Sequence, residues 1–224
     1  MLLKADNISK IYKNGNKSFE ALKNIRFSIK AREIVAIVGP SGAGKSTLLH
    51  ILAGLDKPTK GSVVFDGTDL YGLSDSRRSL VRNKRIGFVF QFYYLLSEFS
   101  VLENVMMPVM VSRDRDTRKN FSSDKANGLL SRVKIKGKAD NRPSQISGGE
   151  AQRVAIARAL INDPDIVFCD EPTGNLDSAN AGIVLELIKD LNQKTKQAFL
   201  IVTHNEKVAD FADRILHIED GKIK

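Results

Sequence analysis

Cysteine is nearly missing from this 224-residue chain: its one thiol, Cys169, lies in an apolar run and has no possible partner within the sequence. An internal disulfide framework is excluded, and a reducing, cytosolic setting fits. Long apolar runs are missing too, because no stretch approaches the roughly 18 residues of a membrane span. The opening Met1-Leu2-Leu3-Lys4-Ala5-Asp6 lacks the apolar core of a signal peptide. Any membrane role is therefore expected to run through a partner. No internal repeat or low-complexity tract is found, and the length suits one α/β module with at most a small appended subdomain. Acidic residues are scarce in one region. Between Arg77 and Arg142, fifteen Lys or Arg stand against six Asp or Glu, so this segment carries the whole net charge of +9. Such a segment can face nucleic acid or an anionic membrane surface. It can equally be a solvated helical face.

What is present begins with Gly39-Pro40-Ser41-Gly42-Ala43-Gly44-Lys45-Ser46-Thr47. This fits the phosphate-binding pattern G-x-x-x-x-G-K-[ST], between an apolar strand over 33–38 and a helix expected over 47–55. Three glycines let the backbone curl so that N–H groups point at phosphate oxygens, and the helix offers its positive end to the same anion. Lys45 adds a point charge for the β- and γ-phosphates. Ser46 places a hydroxyl on Mg²⁺. The chain is thus expected to bind a nucleoside triphosphate.

Alternation over 2–9 and 21–29 predicts half-exposed antiparallel strands joined at Asn14-Gly15-Asn16. Short strands follow over 61–67 and 86–90. From 101 to 161 the pattern is mainly helical, with 113–123 too charged to be anything but a loop or frayed connection. Strands over 166–169, 198–202 and 215–218 then alternate with helices over 179–194 and 206–212. That alternation predicts a parallel sheet covered on both faces and interrupted by a helical insertion.

The apolar run 166–169 delivers Asp170 and Glu171 at its carboxyl end, where open α/β sheets bind ligands. Asp170 suits orienting Mg²⁺, directly or through water, and Glu171 could accept a proton from an attacking water. A solvated acidic turn reads alike, but a phosphate loop upstream requires such a carboxylate. Ser147-Gly148-Gly149-Glu150 opens another helix, with Ser147 a good N-cap and a second anion-binding helix start. Capping accounts for Ser147. It does not account for two consecutive glycines, which weaken a helix unless something approaches the backbone closely.

In this order, the phosphate loop, the Ser-Gly-Gly helix start, the Asp-Glu strand end and an isolated His204 after a strand resemble the ATP-binding cassette (ABC) ATPases. The resemblance runs from Asn7 to Gly221. It implies a P-loop α/β fold with an antiparallel β edge, a core over about 1–90 and 162–224, and a helical subdomain over about 91–161. It further implies that Tyr12 stacks on adenine, that Gln91 touches Mg²⁺ and the attacking water, and that His204 contacts the γ-phosphate. Asn175-Leu176-Asp177 would be the loop through which two ATP sites communicate. Ser147, Gly148, Gly149 and Glu150 would contact ATP held by a second copy, in a head-to-tail dimer. Glu150 stands where the family mostly has glutamine and Ile146 where it has leucine, both mild departures.

A cassette without membrane spans resembles the separately encoded ATPase subunit of a bacterial transporter, peripheral on the cytoplasmic side of the inner membrane. Within that class, Gln91-Phe92-Tyr93-Tyr94-Leu95-Leu96, then Val101 to Val105 and Pro108, resemble the ATPases of lipoprotein-releasing systems. The block 170–177 is shared with macrolide-export and cell-division (FtsE-like) ATPases. The resemblance implies integral membrane subunits docking on about Phe92 to Met107. A nucleic-acid-associated cassette is disfavoured, since the long coiled-coil insertion or second cassette usual there is lacking.

Overall fold

The computed structural model describes residues 1–15, 17–112, 114 and 122–224. It opens with a long antiparallel hairpin, β1 (Leu3–Asn14) and β2 (Lys17–Ile29). Gly15 takes a left-handed φ of 57° at the turn. The expected Asn16 part of that turn lies outside the described residues. Next come β3 (Ile34–Val38), α1 (Lys45–Leu52), β4 (Lys60–Phe65), β5 (Thr68–Asp69), α2 (Asp75–Arg85) and β6 (Ile86–Val89). A helical region follows: α3 (Val101–Met110), α4 (Ser123–Arg132) and α5 (Gly148–Leu160). The chain returns through β7 (Ile166–Asp170), α6 (Ser178–Thr195), β8 (Ala198–Thr203), α7 (Glu206–Ala209), β9 (Arg214–Glu219) and β10 (Lys222–Ile223).

Two sheets form. One is antiparallel, in the order β2-β1-β4-β5, and the other runs β10-β9-β3-β8-β7-β6, parallel except for the β10 edge. The apolar strand runs have a direct cause here, since both faces of the parallel sheet are covered. Ala198, Leu200 and Val202 of β8 and Ile166 and Phe168 of β7 enter one core, with α1 and the antiparallel sheet. Phe199, Ile201, Val167 and Cys169 point the other way and pack with α3 to α6. Burial pushes the Cys169 thiol pKa far up, so this cysteine is an inert core residue.

Helix α2 was not expected from the sequence. Leu80 and Val81 are its only apolar residues and nothing in it is buried, so it carries no 3.6-residue stripe to read. Polar contacts hold it instead: Ser74 caps it, Arg82 donates to the Gly54 carbonyl at 2.9 Å and Asn83 to the Pro108 carbonyl at 2.8 Å. Helix α1 begins two residues before the expected 47–55, right after Gly44, and ends three residues early because the chain turns at Gly54, whose φ is 71°. The helix expected over 206–212 is a single turn. Residues 113 and 115–121 of the expected loop lie outside the described residues.

Candidate functional site

Every α-helix among the described residues except α1 has a side-chain N-cap: Ser74, Ser100, Ser122, Ser147, Asp177 and Asn205 serve the others. Helix α1 starts at Gly44, φ 99°, with no side-chain cap and no acid in its first turn. The first intrahelical bond runs from Leu48 N to Gly44 O, which leaves the N–H groups of Lys45, Ser46 and Thr47 free of helical partners. Three donors and a helix dipole therefore face outward without a resident carboxylate, an arrangement suited to a phosphate. The fold fixes the loop tightly. A Cβ on Gly39 would stand 2.1 Å from the Ile218 carbonyl oxygen, and one on Gly44 would stand 2.7 Å from that of Ala21. Lys45 is buried and donates from Nζ to the carbonyls of Gly39, at 2.7 Å, and Pro40, at 3.0 Å.

Across the sheet, β7 ends beside this loop. Ser46 Oγ donates to Asp170 Oδ1 at 3.1 Å. Burial holds the Asp170 carboxyl above its usual range, with the Ser46 hydroxyl pulling against that effect. A half-buried carboxylate beside a hydroxyl, with no Lys or Arg ion pair among the described residues, fits a hard divalent cation. No group of three or more His, Cys, Asp or Glu that could hold a metal alone occurs among the described residues. Such a cation would thus need further oxygens from phosphate and water, the usual habit of Mg²⁺.

Successive strand residues point to opposite faces, yet Asp170 and Glu171 serve one end of the sheet. The reason is backbone: Glu171 has φ 45°, a left-handed conformation costly for a non-glycine residue. Its N–H bonds to Val202 O at 2.9 Å, and Gly174 N–H bonds back to its carbonyl at 3.0 Å. The turn swings the carboxylate to the end of β8. There Oε2 accepts from Thr203 Oγ1 at 3.0 Å, and Oε1 lies 2.7 Å from His204 Nδ1. Glu171 is largely covered, whereas the His204 side chain is 60% exposed. A carboxylate can only accept, so His204 Nδ1 carries a proton, and Nε2 can donate outward only when the ring holds both protons. Thr203, fully buried at the strand end, was missed by sequence reasoning. Its signal was a hydroxyl closing an otherwise apolar strand.

Gln91 follows β6, next to β7 in the sheet. Its side-chain amide nitrogen would lie 3.3 Å from a Cβ on Gly174, and its backbone carbonyl accepts from Asn175 Nδ2 at 3.0 Å. Gln91, Glu171 and the loop 174–177 are therefore one cluster. Leu176 is partly buried in the helical-side core. Asp177 caps α6 through Asn180 N at 2.8 Å and binds Asn180 Nδ2 at 2.7 Å; the Asn180 bonds hold its carboxyl below the usual range.

Tyr12 is 42% exposed on β1. Its hydroxyl donates to Asp56 Oδ2 at 2.8 Å, and Lys10 Nζ sits 4.8 Å from the ring centroid while also binding Asp56 Oδ1 at 2.6 Å. Burial and then the Asp56 bond raise the phenol, opposed by a bond to Thr47 at the start of α1. Lys10 and Asp56 set the direction of an aromatic face beside the phosphate loop. Neither was singled out from the sequence.

No hydrogen bond among the described residues joins the Ser147–Glu150 segment to the phosphate loop. Ser147 and Glu150 form a capping box, Ser147 N to Glu150 Oε2 at 2.8 Å and Glu150 N to Ser147 Oγ at 3.3 Å. Lys138 pairs with Glu150 at 2.6 Å and is the main cause that holds its carboxyl low, which gives the unusual glutamate a structural use. The close approach that the paired glycines imply is made within the chain. A Cβ on Gly148 would meet the Tyr93 hydroxyl at 2.9 Å, and one on Gly149 the Asn180 Oδ1 at 2.5 Å. Ser147 and Gly148 nevertheless remain exposed.

Between α2, β6, α3 and the end of α5 lies a cavity of about 290 Å³, whose lining includes Arg82, Phe88, Phe90, Tyr94, Pro108 and Arg158. Phe92, Tyr94 and Leu96 are exposed nearby, while Leu95 and Met106 pack into the core. The groove thus reaches beyond 92–107 to residues the sequence did not suggest. Part of the basic segment's charge is consumed within the fold. Arg85 pairs with Asp66 and Asp165, Lys125 with Asp163 and Lys138 with Glu150, all acids from outside that segment.

Comparison with known proteins agrees in family. The ABC transporter family model matches residues 22–174. The lipoprotein-releasing system ATP-binding protein LolD of Wigglesworthia glossinidia brevipalpis is 48% identical over 227 residues, covering 100% of this chain and 96% of that protein. A dimeric post-hydrolysis structure of the ATP-binding cassette MJ0796, bound to ADP and Pi, superposes with a TM-score of 0.88 at 39% identity, over 100% of this chain and 97% of that one. CbiO1 of Clostridium perfringens, part of an ABC transporter complex, gives 0.85 at 28% identity, over 100% and 86%. No described helix is long and apolar enough to cross a membrane. The chain belongs to the ABC transporter family, as an ATP-binding subunit whose ATP hydrolysis is coupled to transport.

Proposed function

We propose that this chain powers the release of lipoproteins from a bacterial inner membrane, working at its cytoplasmic face through a separate integral membrane subunit. The observation that carries the lipoprotein reading is the 48% identity to a lipoprotein-releasing ATPase across the full length of both chains. The uncapped start of α1, with Gly39 to Thr47 around it, cradles the ATP phosphates. Tyr12 offers its ring to adenine. Ser46 and Asp170, with Gln91 nearby, would hold Mg²⁺, which when bound neutralises charge on the phosphates. Glu171, aimed by Thr203 and His204, keeps a free lone pair on each oxygen. It accepts the proton of the water that attacks the γ-phosphorus, as the bond to the bridging oxygen of ADP breaks and phosphate leaves. His204, 2.7 Å from Glu171 and with its side chain exposed, turns its Nε2 edge toward the γ-phosphate.

Exposed Ser147 and Gly148 complete the ATP site of a second copy, a reading supported by the dimeric form of the cassette with ADP and Pi. The segment 91–161 is the arm that carries this signature and one wall of the partner groove, the other wall being α2 and β6. Reconstitution tests the assignment. With a lipoprotein-releasing membrane subunit in vesicles, ATP turnover should rise several-fold and lipoprotein should leave the bilayer. Stimulation only by a macrolide-export or cell-division type membrane subunit would replace this reading.

A further inference from the structure

We propose that Arg158 is a positioning residue: it clamps the Tyr93–Tyr94 backbone to helix α5, so that the partner groove, Gln91 and the Ser147–Gly149 helix start move as one unit. The identity of the groove's occupant rests on the preceding section; the clamp itself does not.

The Arg158 guanidinium donates from Nη2 to the Tyr93 carbonyl at 2.6 Å and from Nη1 to the Tyr94 carbonyl at 2.7 Å. No acid pairs with it among the described residues, and burial lowers its pKa. A half-buried guanidinium without a carboxylate is a costly way to fill space, whereas its planar fork suits two adjacent carbonyls. The clamped residue is itself strained: Tyr94 has φ 46°, left-handed for a bulky side chain. Tyr94 as a whole is 64% exposed, its ring lies edge-on to Phe90 at 5.3 Å, and it lines the groove together with Arg158.

The same segment meets the other end of α5. The Tyr93 hydroxyl occupies the space a Cβ on Gly148 would need. Gly148 and Arg158 are ten residues apart, about 15 Å along a helix at 1.5 Å per residue. Tyr93 thus packs on the first turn of α5 while Arg158 in the last turn holds the carbonyls of Tyr93 and Tyr94, two and three residues after Gln91. A body pressing on Tyr94 pushes on the helix that starts at Ser147, and a shift at Gln91 reaches the groove by the same route.

The chain contains no tryptophan, so Tyr94→Trp gives a single reporter on an exposed site. In the full chain carrying Glu171→Gln to stop turnover, Mg·ATP should shift its emission. Adding Arg158→Gln should abolish that shift while ATP affinity, measured with a fluorescent nucleotide, stays within about twofold and the melting curve remains cooperative. Arg158→Lys keeps the charge but not the fork, and should retain part of the shift. With the membrane subunit present, Arg158→Gln without the other changes should lower stimulated kcat about tenfold with little change in KM. A preserved emission shift in Arg158→Gln would overturn the clamp, as would parallel loss of ATP affinity and folding in both Arg158 variants or normal stimulated kcat. If the unaltered chain is not stimulated at all, the partner assignment fails, and the emission comparison still decides the clamp.

Discussion

Glu171→Gln is expected to lower ATP turnover by about 10²- to 10⁴-fold, the usual contribution of a positioned general base, while ATP remains bound. The substitution keeps shape and leaves Thr203 a carbonyl oxygen to bind. What changes is the proton inventory. An amide cannot take a proton from water, and an amide nitrogen facing His204 donates, forcing Nδ1 to become the acceptor across the 2.7 Å contact. Steady-state phosphate release beside equilibrium ATP binding measures both halves. Native turnover in the variant would remove Glu171 from the base role, and lost binding would place it in nucleotide recognition instead.

Lys45→Ala is expected to weaken ATP binding by about 10- to 100-fold, from loss of a charge-assisted hydrogen bond worth roughly 1.5–3 kcal/mol. In the structure Nζ already holds the carbonyls of Gly39 and Pro40. The lysine therefore keeps the loop closed before a phosphate arrives and supplies positive charge afterwards. Removing it also leaves two loop carbonyls without their donor, so a lowered melting temperature accompanies the lost affinity. Titration with a fluorescent ATP analogue, beside a thermal melt, separates the two effects. An unchanged affinity would contradict a phosphate-binding role for this loop.

Much of this was legible in the sequence, and the gaps have physical causes. The apolar runs over 33–38, 166–169 and 198–202 announced strands buried on both faces, and those strands place the phosphate loop, the acidic pair and His204 at the carboxyl end of the sheet. Helix α2 was invisible because its stability comes from a cap and side-chain bonds to Gly54 and Pro108, not from an apolar stripe. The sequence signalled that something crowds Gly148 and Gly149 but could not name Tyr93 and Asn180, which lie 55 and 31 residues away. The same distance hid Asp56 from Tyr12 and Thr203 from Glu171. Side chains brought together only by folding leave no periodic trace along the chain.

The central claim is that Gly39 to Thr47 is half of an ATP site and that Ser147 to Gly149 of a second copy is the other half. Its most direct measurement is the solution mass of the Glu171→Gln chain by light scattering, with and without Mg·ATP, alone and combined with Ser147→Arg. The claim predicts twice the 24.8 kDa chain mass only with Mg·ATP. With Ser147→Arg added, the mass should stay at one chain while the phosphate loop still binds ATP. A single-chain mass with ATP bound to Glu171→Gln, or a dimer indifferent to both ATP and Ser147, would contradict it.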